Sequence, residues 1–97
     1  MDEQGVRRAL ATVMDPELGL DIVSLGLVYR IECTTDAVEL DLTMTTPACP
    51  LAEHIREEAE RAVARAFPDA RVQANLVWSP PWDARRLSDD ARAALGW

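Results

Sequence analysis

Cys49 stands in the stretch Thr45-Thr46-Pro47-Ala48-Cys49-Pro50, directly before a proline, and it is the residue with the most chemistry to offer. A thiolate is a nucleophile and a ligand for soft metals, whereas a thiol packed among apolar groups is inert. Pro50 suits the first position of a helix, which makes Cys49 the expected N-cap. There the sulfur faces unpaired N–H groups and the positive end of the helix dipole, both of which favour thiolate. Purely structural caps are ordinarily Ser, Thr, Asp or Asn, so a cysteine in that position points to use of its sulfur. Thr45 and Thr46 bring hydroxyl groups close by, and Pro47 and Pro50 stiffen the backbone on both sides. The competing reading is a small buried residue at a helix start.

Asp15 and Glu17 flank Pro16 in an irregular segment, and two readings of them stay open: they cap and solvate a loop, or Pro16 fixes one of them toward Cys49 as an oxygen ligand. A carboxylate beside the sulfur raises its pKa unless a cation intervenes. Cys33 continues an inward apolar series and is read as core. His54, the single histidine, follows Cys49 by five residues, which turns it roughly 140° away around a helix and excludes a Cys–His dyad. Among the tryptophans, Trp78 is read as core, while Trp82 and Trp97 are read as pins for the last helix. Nucleophile elbows, glycine-rich phosphate loops and HExxH-type metal motifs are lacking.

The elements that must position these residues follow from periodicity. A helix is expected over residues 2–13, with Asp2 as cap and Val6, Ala9, Leu10 and Val13 on one face. From Leu27 the period becomes two: Leu27, Tyr29, Ile31 and Cys33 inward, then, after a turn at Thr35-Asp36-Ala37, Val38, Leu40, Leu42 and Met44 inward, with Glu39, Asp41, Thr43 and Thr45 outward. A second helix is expected from Pro50 to Phe67, and a third strand carries Val72, Ala74, Leu76 and Trp78 on one face. Ser88 caps a short helix, Asp89 to Leu95, stopped by Gly96. The fold class is therefore α/β: one small domain over residues 1–97 in α-β-β-α-β-α order. Its three-stranded mixed sheet has helices on one face, with a β-α-β unit supplying the parallel pair.

At 97 residues the chain supports one modest core, and 48% hydrophobic with 28% charged residues is ordinary for a globular protein. Net charge −7 leaves no basic surface for nucleic acid, and no apolar run reaches the ~20 residues of a membrane span. The N-terminus lacks the parts of a signal peptide, so a cytoplasmic setting with reduced thiols is expected. Two cysteines are too few for a disulfide scaffold or a four-cysteine metal site from one chain. All ten basic residues are arginine.

Four motifs in this order are specific as a set: Asp15-Pro16-Glu17, Asp21 to Val28, Thr45 to Pro50, and Pro80-Pro81-Trp82. Together they closely resemble the SufT/PaaD-like family of iron–sulfur cluster assembly proteins. The tail Ser88 to Trp97 looks like that of the stand-alone SufT-type members, and the extra cysteine-bearing segment of the PaaD branch is absent. The resemblance implies a non-catalytic factor in maturation of iron–sulfur proteins, with assembly proteins or client apoproteins as partners. It assigns Cys49 as the functional cysteine and metal ligand and Asp15 and Glu17 as the signature acidic pair, with Thr46 in the same cofactor-binding set. The implied cargo is a transient iron–sulfur cluster or iron. A homodimer is also implied, since one thiolate per chain holds a cluster only if chains or partners pool ligands. The alternative function is an interaction module that binds through its acidic surface and Pro80-Pro81-Trp82, with a structural cysteine.

Overall fold

Strict alternation over Ala37–Leu42 forms a strand whose Val38, Leu40 and Leu42 are at most 1% exposed, while Glu39 and Asp41 face the other way. This strand is the centre of the computed structural model, which describes residues 2–97. The elements run α1 (Glu3–Leu10), β1 (Met14–Asp15), β2 (Leu20–Asp21), β3 (Val28–Cys33), β4 (Ala37–Leu42), α2 (Ala52–Ala66), β5 (Arg71–Leu76), a 3₁₀ turn (Ala84–Arg86) and α3 (Asp89–Leu95). The main sheet has the order β3-β4-β5, antiparallel on one side and parallel on the other, with α2 crossing between the parallel pair. Helices α1 and α2 cover one face. Val6 and Leu10 from α1, and Ile55, Ala59, Ala62 and Val63 from α2, close over β4 as a single core. The other face carries Arg30, which pairs with Glu32, Glu39 and Asp41.

Several boundaries differ from the periodicity, each for a local reason. α1 ends at Leu10 because the Thr12 and Val13 amides turn back to Ala9 and Leu10, although Val13 stays buried. Asp2 caps it as expected, its carboxylate accepting from Gly5 N at 2.7 Å. Residues 13–21 fold into a minute hairpin, Met14 opposite Asp21 and Asp15 opposite Leu20, which was not expected. A bulge between Val28 and Arg30 breaks the inward series, so Val28 packs against the core and Tyr29 turns to donate to Pro80 O at 2.9 Å. β4 stops at Leu42; Thr43, expected outward, is 1% exposed. Trp78 is not core: the ladder ends where Val77 N donates to Leu42 O, and Trp78 is 42% exposed beyond it. Trp97 is exposed and pins nothing into the core. No helix among the described residues is long and apolar enough to cross a membrane.

Candidate functional site

The chain leaving the carboxyl end of β4 makes two consecutive turns before α2. Cys49 N donates to Thr46 O at 3.2 Å, and Ala52 N donates to Cys49 O at 3.4 Å. Each turn has a proline in its second position, Pro47 and then Pro50, where a fixed φ near −65° is pre-set. Cys49 is the residue the two turns share. The helix begins only at Ala52, with Leu51 as its cap, so Cys49 is not the N-cap and Pro50 is a turn proline. Dipole effects fade within the first turn, which removes the helix-end argument for the sulfur. Thr46 is exposed, and its hydroxyl accepts from Ala48 N at 3.3 Å, so it shapes the first turn.

The neighbour that matters comes from the small hairpin. The Cys49 thiol points to the Glu17 carboxylate, with Sγ 3.9 Å from Oε1, and both groups reach the surface. Asp15 does not join them. It is 5% exposed, and its Oδ1 accepts from Glu17 N at 2.9 Å and Leu18 N at 3.3 Å, which holds the turn that presents Glu17. Gly19, with φ +71°, closes that turn by donating to Asp15 O at 2.8 Å. The acidic pair is thus divided between one carboxylate that builds the loop and one that faces the thiol.

Asp21 repeats the first of these roles. Its Oδ2 accepts from Val23 N at 3.1 Å and Ser24 N at 3.0 Å, fixing the segment that leads into β3. Periodicity alone does not mark this role, although an aspartate two and three residues before free amides is an Asx-turn signal. From the far end of the sequence a strap covers this segment: Trp82 Nε1 donates to Leu25 O at 2.7 Å and Ser88 N to Ser24 O at 2.9 Å. Gly26, with φ +73°, lies against the Arg86 backbone so closely that a Cβ would collide with the Arg86 carbonyl oxygen. The Arg86 guanidinium stacks 4.5 Å from the Tyr29 ring centroid.

The remaining candidates stay apart. Cys33, at the opposite end of the sheet, is half-buried, and burial together with the Glu3 carboxylate pushes its thiol pKa up. Cys33 and Cys49 are both free. His54 is exposed on α2. Among the described residues no three His, Cys, Asp or Glu side chains converge as a metal cage. The site therefore offers one sulfur, on a double turn beyond the carboxyl ends of a parallel strand pair where open α/β sheets place their ligands, and one carboxylate oxygen from the small hairpin.

Fold and site together define a small α/β scaffold that presents a thiol beside a carboxylate at its surface. The chain belongs to the iron–sulfur cluster assembly protein family, whose model matches residues 3–76. It is similar to the Fe–S protein maturation auxiliary factor YitW of Bacillus subtilis, 39% identical over 95 residues that cover 97% of this chain and 93% of the relative. It is also 40% identical to the Fe–S protein maturation auxiliary factor SufT of Staphylococcus aureus, over 87% of this chain and 97% of that protein. Among solved structures, a domain of unknown function from Bacillus anthracis superposes with a TM-score of 0.92 at 38% identity, covering 97% of this chain and 91% of that one.

Proposed function

We propose that the protein is a non-catalytic factor in maturation of iron–sulfur proteins, acting in the cytoplasm and using the Cys49 thiolate as a transient ligand for iron or an iron–sulfur cluster as cargo. The observation that carries this reading is the free Cys49 thiol held 3.9 Å from Glu17 in a chain of the iron–sulfur assembly family. Binding a metal displaces the thiol proton. Glu17 is placed to accept that proton or to add an oxygen ligand, while Asp15 and Thr46 hold the two loops in register. One sulfur and one oxygen fall short of the cysteine set that holds a cluster. The missing ligands come from a second protein, an assembly protein or a client apoprotein. Handover is favoured by this shortage, because a site that cannot complete the ligand set cannot retain the cargo.

Anaerobic reconstitution with iron and sulfide tests this, comparing wild type with Cys49→Ser by absorption and mass, alongside the ability of each to support iron–sulfur enzyme activity in cells. Cys49→Ser is expected to keep its fold and lose both activities. Full support of client enzymes by that variant would overturn the proposal. One observation favours the interaction-module reading: Trp78 is 42% exposed at the same end of the sheet as Cys49. Trp82 is excluded from such a surface by its anchor on Leu25 O. If Trp78→Ser abolishes client binding while Cys49→Ser does not, the cysteine is structural and the module reading stands.

A further inference from the structure

The two edges of the main sheet are treated differently by the rest of the chain. β5 is an edge strand, and in its middle Ala74 turns both backbone polar groups away from β4. Neither is free. Ala74 N donates to Glu60 Oε2 at 2.8 Å, and Ala74 O accepts from Arg56 Nη1 at 3.4 Å. Arg56 Nη1 and Glu60 Oε2 are themselves 3.1 Å apart. Two side chains from one turn of α2 thus reach down to occupy the positions a further strand would use. Covering an edge in this way blocks strand addition.

β3 has no such guard. Thr34 N donates to Ala37 O, so Thr34, Glu32 and Arg30 face β4 and the intervening Ile31 and Cys33 direct their N–H and C=O groups outward. Among the described residues no hydrogen bond reaches these outward groups of Ile31 and Cys33. We propose that the β3 edge is a self-association surface, on which a second copy adds its own β3 antiparallel about a two-fold axis at Ile31.

Charge pattern selects this occupant. With Ile31 opposite Ile31 of the second copy, Arg30 falls directly opposite Glu32 of the second copy, and the same pair repeats across the axis. Arg30 already pairs with Glu32 in its own chain. The two copies therefore complete a ring of four alternating charges on the polar face, and opposite charges facing across antiparallel strands are stabilising. Ile31 meets its counterpart on the core side. The assembly stops at two, because each outer edge is then a β5 strand whose central Ala74 N–H and C=O are already taken by Glu60 and Arg56.

The antiparallel axis also sets where the functional sites go. Cys49 lies beyond the carboxyl end of β4, so the two Cys49 loops sit at opposite ends of the six-stranded sheet. This dimer cannot pool its two thiols around one cluster. The inference stands or falls independently of whether Cys49 binds iron.

Light scattering after gel filtration across a concentration series, with amide hydrogen exchange read at Ile31 and Cys33, tests the surface. Wild type is expected to dimerise, with protection at those two amides rising with protein concentration. Glu32→Arg places like charges opposite each other at both ends of the ring and is expected to weaken dimerisation about tenfold or more while its circular dichroism stays that of the wild type. Glu60→Ala removes the acceptor that holds Ala74 N and the partner of Arg56, and is expected to yield species larger than two. A chain that stays monomeric, or a dimer whose Ile31 and Cys33 amides exchange at the same rate at all concentrations, overturns the proposal. So does protection that arises only when a client apoprotein is added.

Discussion

Asp15 and Glu17 are two residues apart in the same turn, yet only Glu17 faces the sulfur, 3.9 Å away, while Asp15 is buried as acceptor for two backbone amides. Their removal should therefore be felt in different measurements. Asp15→Ala leaves the Glu17 and Leu18 amides without an acceptor and is expected to cost about 1–2 kcal/mol in urea unfolding. Glu17→Gln, at the surface, is expected to change stability by less than about 0.5 kcal/mol but to reduce iron retained after anaerobic reconstitution. The reverse pattern would exchange their roles. Cys49 and the acidic pair were legible as candidates in the sequence, because prolines beside them mark fixed geometry. Which carboxylate reaches the thiol was not legible, since the contact joins residues 32 apart through a hairpin of two-residue strands. The N-cap expectation failed because proline has the same φ at the first position of a helix and at the second position of a turn.

At the scale of elements, the strap over residues 24–29 decides how rigidly the site's neighbourhood is held. Gly19 and Gly26 both have φ above +70°, but a Cβ at Gly19 meets nothing within 4 Å whereas one at Gly26 collides with the Arg86 carbonyl. Gly19→Ala should cost about 1–2 kcal/mol for the left-handed backbone alone. Gly26→Ala is expected to cost clearly more, because the strap must also move; thermal unfolding of the two variants checks this, and equal costs would mean the strap exerts no pressure on the loop. The strap's anchors were partly readable. Trp82 was expected to pin, and it does so through its indole N–H on Leu25 O. Trp78 was misassigned because alternation continued past the point where the β4–β5 ladder ends, and period alone carries no signal for where pairing stops. The first part of β4 was legible, since period, burial and hairpin turn agree from Val38 to Leu42, but the expected alternation ran on to Thr45, three residues past the end of the strand.

For the whole molecule, the polar face of the sheet sets the response to acid. The Arg30 guanidinium holds the Asp41 and Glu39 carboxyls below their usual range, through hydrogen bonds first and charge second. A carboxylate with a lowered folded pKa stabilises the fold above its unfolded pKa of about 4 and loses that contribution as pH falls through the folded value. Urea midpoints are therefore expected to fall steeply below about pH 4, and Arg30→Met should flatten that fall; an unchanged acid slope in the variant would show that the network contributes nothing. The α/β class, the mixed sheet and the covering of one face were all legible, as periodicity and the β-α-β order specify them jointly. The parallel pairing of β4 with β5 has one further consequence. It joins residues 37–42 to 71–76 across the whole of α2, and such distant pairings form late when a chain folds, after local helices and hairpins have paid little loop entropy. Cys49 lies inside that closure. The segment that carries it is thus tied at both ends, by the β3–β4 hairpin before it and by α2 and β5 after it, so a substitution that loosens the β4–β5 ladder is expected to reach the surroundings of the thiol as well as the sheet.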